Sequence, residues 1–168
     1  MEIAIDFILD YGYVAVTLLL ALGIVGLPIP DESLMLFIGY LSSIHLLSYL
    51  PSIVFCLIGS VTGMLISYMI GKQVGFKVVV KFGKWVGLTP KRYEKVQHWF
   101  IKFRGWTVLF AYFIPGIRHA AGYIAGITKM PFKKYLMLSC VGALIWSVLF
   151  ISIGYVVGDK LADLKGVS

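Results

Sequence analysis

Three formally charged residues stand inside apolar segments of this chain, and each stands beside a proline break. Asp31 and Glu32 follow Pro28 and Pro30 in a stretch without charge from Tyr11 onward, and Arg118 follows Pro115 as the only formal charge between Gly105 and Thr128. A charge at bilayer depth costs roughly 2.5–3.5 kcal/mol even on mild insertion scales, so it persists there only with a partner or a task. The pattern points to a chain folded in lipid around a polar centre, with acid from one break and base from the other.

The lengths of the apolar stretches say how such a chain is built. Ser52 to Gly71 (20 residues) and Tyr135 to Gly158 (24 residues) carry no formal charge, and about 20 apolar residues cross the hydrocarbon core. The other stretches are interrupted. Tyr13–Leu27 and Ser33–Leu41 flank the first proline break, and Trp106–Ile114 and Ile117–Ile127 flank Pro115-Gly116. These arms are mostly too short to cross, so each pair predicts a re-entrant hairpin that turns at Pro28 and Pro30, or at Pro115 and Gly116, and returns to its own face. Irregular backbone at that depth needs shielding by protein or a water-filled cavity. The composition agrees: 60% of residues are hydrophobic and 14% charged, against about 25% charged in soluble domains, and the mean hydropathy is +0.91. At 168 residues the chain is read as one membrane domain, residues 1–168, working as a small bundle or a homo-oligomer. Glu2, Asp6 and Asp10 stand where a signal peptide would be basic, so no cleavable leader is expected.

An internal repeat supports the hairpins. A shift of 83 positions matches Gly39 with Gly122, Gly59 with Gly142, Gly71 with Gly154 and Gly75 with Gly158, and Tyr40 with Tyr123, without a gap. It also sets Glu32 opposite Pro115. Each half, about 11–75 and 94–158, then holds one hairpin and one spanning helix. A hairpin returns to its own side and the span crosses, so the second half starts from the opposite face. The expected fold class is an all-α integral membrane protein, an inverted repeat of re-entrant helical hairpin plus transmembrane helix.

Between the halves, Lys72–Arg104 holds nine basic residues and one acid, Glu94, with Phe76, Phe82, Trp85, Trp99 and Phe103 interleaved. It is read as two interfacial amphipathic helices, the second starting at Thr89-Pro90; a solvated basic loop is the alternative. Nucleic-acid binding is set aside because the aromatics serve better as interfacial anchors. With Lys129, Lys133 and Lys134, 12 of the 15 basic residues fall on one side, which the positive-inside rule makes cytoplasmic. A bacterial plasma membrane is the expected location.

Arginine's planar fork grips phosphate and stays charged at any relevant pH. Arg118 is therefore the candidate phosphate ligand, and Asp31 or Glu32 the candidate for a cationic group or a proton. The plainer alternative is an ion pair that only joins the hairpins. His119 either tunes Arg118 or packs. Gly59 and Gly63, Gly71 and Gly75, and Gly122 and Gly126 have the GxxxG spacing of close helix contacts. Cys56 and Cys140 offer no disulfide framework, and His45 and His98 have no metal-ligand spacing. No catalytic set, metal motif or cofactor motif is present, so no enzyme, metal or cofactor is expected.

The runs GLPIPDESLMLFIGYL, GSVTGMLISYMIGKQVG and FIPGIRHAAGYIAGITKMPFKKYLMLSCVGALIW resemble the DedA family of bacterial membrane proteins, whose domain is shared with eukaryotic lipid scramblases. The resemblance runs from about Tyr11 to Gly158. It implies facing re-entrant hairpins and lipid translocation, of undecaprenyl phosphate in some members and phosphatidylethanolamine in others, with links to the proton motive force. It places the family's acidic position on Glu32, with Asp31 beside it, and the second arginine of the FxRxxPxxR pattern on Arg118. The first arginine falls on Tyr112, and an upstream acid falls on Gly23 or a nearby apolar position. One arginine with two acids suits a zwitterionic headgroup, so a phosphatidylethanolamine-like lipid is favoured over undecaprenyl phosphate. An ion or solute channel, or a structural membrane partner, is the alternative function.

Overall fold

The computed structural model describes residues 12–27, 29–82, 90–103, 106–114 and 117–164. Seven helices lie among them: α1 (Tyr13–Val25), α2 (Asp31–Ser43), α3 (Tyr49–Phe82), α4 (Pro90–Phe103), α5 (Trp106–Ala111), α6 (Ile117–Ile127) and α7 (Phe132–Leu164). Pro28, Pro115 and Gly116, expected at the turns, lie outside the described residues.

Among the described residues, α3 and α7 hold the two segments long and apolar enough to cross a bilayer, Tyr49–Gln73 and Phe132–Leu161. The short helices are of another kind. α1 and α2 have 13 residues each, α6 has 11 and α5 has 6. At about 1.5 Å per residue none reaches beyond roughly 20 Å, well under the ~30 Å of hydrocarbon.

The ends of these helices follow from local chemistry. α1 stops at Gly26, whose φ is +132°; its N–H donates to Gly23 O while Leu27 N–H reaches back to Leu22 O. That is the Schellman arrangement, which closes the last carbonyls of a helix and favours glycine. α2 and α6 end in the same bonds around non-glycine residues. His45 (φ 60°) and Lys129 (φ 51°) take the left-handed position, with Leu46 N–H on Leu41 O and Met130 N–H on Ala125 O.

Two expectations change. α2 begins at Asp31 rather than Ser33, so both acids sit in its first turn, where the helix dipole favours negative charge. The first expected amphipathic helix after Lys72 is also absent as a separate element. Nothing between Gly71 and Phe82 breaks a helix, so α3 runs on through 34 residues, about 51 Å, and outreaches the hydrocarbon. The second amphipathic helix is present as α4. It sets Lys91, Glu94, Lys95, His98 and Lys102 on one exposed face and turns Phe100 to the core. Residues 83–89, including Lys84, Trp85 and Thr89, lie outside the described residues.

The packing crosses between the two ends of the chain. α1 lies on α3 and α5 on α7, while α2 packs on α7 and α6 on α3, with α3 against α7 at the centre. The crossings are close because glycine removes the side chain at the contact. Gly39 of α2 lies against Ile151, Gly154 and Tyr155 of α7, and Gly126 of α6 lies against Tyr68, Gly71 and Lys72 of α3. The interior is filled by Leu20, Ile24, Met35, Ile38, Met64, Ile124, Trp146 and Ile151, all fully buried. Val54, Ile58 and Met69 of α3 and Met137, Leu144 and Val156 of α7 face outward, as lipid-facing positions require.

Candidate functional site

The start of α2 faces the start of α6. Asp31 and Glu32 project from the first turn of one, and Arg118 from the first turn of the other. Arg118 Nη2 donates to Asp31 Oδ2 at 2.8 Å, and Nη1 donates to Glu32 Oε1 at 2.8 Å. The three residues expected to form the polar centre are therefore together. Their exposure differs: Asp31 is fully buried, Arg118 is 2% exposed, and Glu32 is 31% exposed. A buried ion pair survives only when both partners are held well, since neither keeps its water. With two carboxylates around one guanidinium, the ionised trio carries one net negative charge.

Two supports were not legible beforehand. The Trp146 ring lies under the guanidinium, 4.3 Å from ring centroid to Arg118 Cζ, a cation–π contact strengthened by burial. The indole belongs to α7, about thirty positions away in sequence, and nothing in its surroundings marked it. The other support is Gly23. A side chain there would overlap Asp31 Oδ1, so the carboxylate is seated against a bare Cα of α1.

The remaining candidates are placed less directly. Tyr112 is 1% exposed, and its hydroxyl has no hydrogen-bond partner among the described residues. Its ring lies against Gly142 and 6.0 Å from the Trp146 ring, so it is the next shell behind the arginine. His119 turns away from Arg118's partners: its Nδ1–H donates to Ile24 O at 3.1 Å. Tyr123 does the same for Val25 O at 2.7 Å. Two side chains of α6 thus satisfy the last carbonyls of α1, groups a helix end leaves unpaired. Among the described residues no group of three His, Cys, Asp or Glu side chains could hold a metal ion.

The VTT domain matches residues 29–156. The uncharacterized membrane protein YbfM of Bacillus subtilis (strain 168) is 48% identical, covering 94% of this chain and 98% of that protein. The alkaline phosphatase-like protein of Lactococcus lactis subsp. cremoris (strain MG1363) is 33% identical over 99% of this chain and 80% of its own length. Undecaprenyl phosphate transporter A of Bacillus subtilis (strain 168) is 29% identical over 95% of this chain and 78% of its own length. No solved structure matches the chain significantly. A matched domain over three quarters of the sequence, with a near-full-length relative at close to half identity, settles the family: the chain is a VTT-domain membrane protein of the DedA family.

Proposed function

We propose that this protein is a lipid translocase of a bacterial plasma membrane. In this reading Arg118 holds the lipid phosphate, Glu32 holds a headgroup amine, and Asp31 takes a coupled proton. The observation that carries it is the unequal burial of the two acids on one guanidinium. Glu32 is the arm that solvent can reach, so an incoming phosphate displaces Glu32 from Nη1 while Asp31 stays on Nη2. The released carboxylate then faces the amine of the same headgroup. A net negative trio suits a zwitterionic phosphatidylethanolamine-like lipid better than a phosphomonoester with up to two charges. The second reading, undecaprenyl phosphate, is favoured by the name of the Bacillus relative. Both are transport readings, which the VTT-domain match and the named transporter relative support.

The architecture proposed with it is an inverted repeat of two re-entrant hairpins whose turns meet at mid-membrane. The spans follow the 83-residue shift, since Ile151, Gly154 and Tyr155 correspond to Tyr68, Gly71 and Lys72. The short helices that pack on them, however, correspond through Gly39 and Gly126, 87 positions apart. The same 87 separates Pro28 from Pro115 and Asp31 from Arg118. The second half is thus one helical turn shorter between its hairpin and its span, and acid and arginine are symmetry mates. The basic segment and Lys129–Lys134 face the cytoplasm in this arrangement.

The test is reconstitution in vesicles bearing headgroup-labelled lipid. Arg118→Ala abolishes label movement, and Arg118→Lys, which keeps charge but loses the fork, retains a fraction. Protein level and monodispersity are measured alongside, because an unpaired buried acid also destabilises. Full lipid movement by a stable Arg118→Ala protein would leave Arg118 as a structural ion-pair residue. Ion flux without lipid movement would identify a channel.

A further inference from the structure

α2 and α6 close in the same geometry but with different chemistry. Each ends on a non-glycine residue in the left-handed region, His45 (φ 60°) and Lys129 (φ 51°). His45 shows that the closure itself needs no cation. After His45 the chain continues Leu46, Leu47, Ser48 without a formal charge, whereas Lys129 is followed within five residues by Lys133 and Lys134. The two closures lie at opposite ends of α7. Ser43 of α2 lies against Gly158, beside the opposite charges of Asp159 and Lys160, while Met130 leads directly into the first turn of α7.

The Lys129 end is a junction of three helices. Gly126 of α6 lies against Tyr68 O and Lys72 N of α3. Tyr68 donates to Met130 O at 2.6 Å, and its ring centroid lies 5.9 Å from that of Phe132 on α7. These contacts draw the backbones of Lys72, Lys129, Lys133 and Lys134 to one corner of the bundle. All four side chains are exposed, and none has an ion pair among the described residues. Two local rules are broken at this corner. Lys129 stands in a conformation that L side chains resist. Lys133 and Lys134 stand in the first turn of α7, which holds no acid, although the dipole and unpaired N–H groups of that turn favour negative charge. Cations gathered at the positive end of a long helix make a place for an anion.

The surroundings define the kind of anion. Phe132 is 42% exposed, Met69 51% and Met137 60%, on the two helices whose apolar segments cross a bilayer. Met69 shares a helix face with Lys72, three positions on, and Met137 with Lys133 and Lys134, four and three positions back. A ligand at this corner therefore meets cations on one side and bare apolar surface on the other. An anionic phospholipid has both parts. We propose that Lys72, Lys129, Lys133 and Lys134 hold the phosphodiester headgroup of an anionic phospholipid, its acyl chains lying along Phe132 and Met137. The site is separate from the ion pair. Arg118 is in the first turn of α6 and Lys129 lies beyond its last, roughly 16 Å of helix away, and the lipid held here need not be the lipid that is moved.

The experiment uses the full chain in an uncharged detergent, titrated with phosphatidylglycerol or with phosphatidylcholine of the same acyl chains. Native mass spectrometry counts bound lipid, and Tm is read in parallel. Phosphatidylglycerol is expected to bind and to raise Tm, and phosphatidylcholine to bind far more weakly. Each lysine beside an anionic headgroup is worth about a fivefold change in affinity, so Lys133→Gln/Lys134→Gln is expected to weaken binding about 25-fold. Lys129→Gly weakens it about fivefold while raising the lipid-free Tm, a split that a purely structural lysine does not give. Lys160→Gln, at the other end of α7, leaves binding unchanged. Wild-type affinity in a monodisperse protein carrying Lys72→Gln, Lys129→Gly, Lys133→Gln and Lys134→Gln overturns the proposal, as does equal stabilisation by phosphatidylcholine. Equal stabilisation by inorganic phosphate at the same concentration overturns it as well, because the corner is then a bare-anion site and not a lipid site.

Discussion

Gly23→Ala is the smallest change that reaches the polar centre. A methyl group at position 23 would occupy the place of Asp31 Oδ1 and stand 3.0 Å from Cγ and 3.2 Å from Oδ2. Asp31 is the end of a side chain and can rotate, but it has nowhere useful to go. It is fully buried with Oδ2 on Arg118 Nη2, so a rotation that clears the methyl is expected to disturb that bond. Breaking one arm of a buried ion pair costs about 3–5 kcal/mol. Against that, alanine in a helix is better than glycine by roughly 0.5–1 kcal/mol. The net is a loss of about 2–4 kcal/mol. For a chain of this size that is a fall of about 4–16 °C in Tm.

The sign makes the measurement decisive, because the same substitution on an unobstructed helix face raises stability. The assay is thermal unfolding of the purified protein in detergent, followed by loss of the monodisperse peak. Asp31→Gly and the double variant Gly23→Ala/Asp31→Gly complete a cycle. With the carboxylate gone, alanine at 23 is expected to cost nothing, so the coupling carries nearly the whole effect. A Gly23→Ala protein with the wild-type Tm or higher, or a double variant that merely adds the two losses, would refute the claim that Gly23 exists to seat Asp31.

Gly154→Ala is expected to lower Tm by several degrees, since its methyl would press on the Leu36 carbonyl of α2 and overpacking costs about 1–3 kcal/mol; the same unfolding assay reads it. Lys129→Gly is expected to raise stability by up to about 1 kcal/mol, because Lys129 holds φ at 51° to close the end of α6 and L side chains resist that region. Glu32→Gln keeps a hydrogen-bonding oxygen for Arg118 but loses the charge for an amine, so headgroup preference in the vesicle assay should shift from phosphatidylethanolamine toward phosphatidylglycerol while response to a proton gradient persists.

The polar centre was legible because charge in apolar sequence is costly and therefore conspicuous. Asp31, Glu32 and Arg118 could be named as a group before any contact was seen, and the short arms around the prolines gave α1, α2, α5 and α6 to within a few residues. What the sequence hid is what apolar residues do not advertise. Trp146 is one of four tryptophans and sits in an ordinary spanning segment, yet it is the one beneath the guanidinium. Gly23 gave no sign that it seats Asp31, because the overlap it prevents is with a residue from the next helix. The continuation of α3 beyond Gly71 was missed for a different reason. A change from apolar to basic side chains marks where lipid ends, not where a helix does.

The register of the proposed repeat bears on why the site needs both ends of the chain. Gapless matching at 83 positions aligns the spans but sets Glu32 against a proline; the close glycine crossings require 87 for the short helices. In that register Asp31 and Arg118 occupy equivalent places in the two halves. Equivalent positions in an inverted repeat face each other across its axis, so an identical residue at both would bring like charges to one buried point. Opposite charges there turn the axis into a hydrogen-bonded pair, and Glu32, one position further on, is the surplus acid that leaves one arm able to exchange. Exchanging the two residues, Asp31→Arg with Arg118→Asp, is then expected to give more monodisperse protein than either single change, because the pair is restored at the same axis, although the α1 backbone at Gly23 leaves less room beside position 31 for the longer side chain.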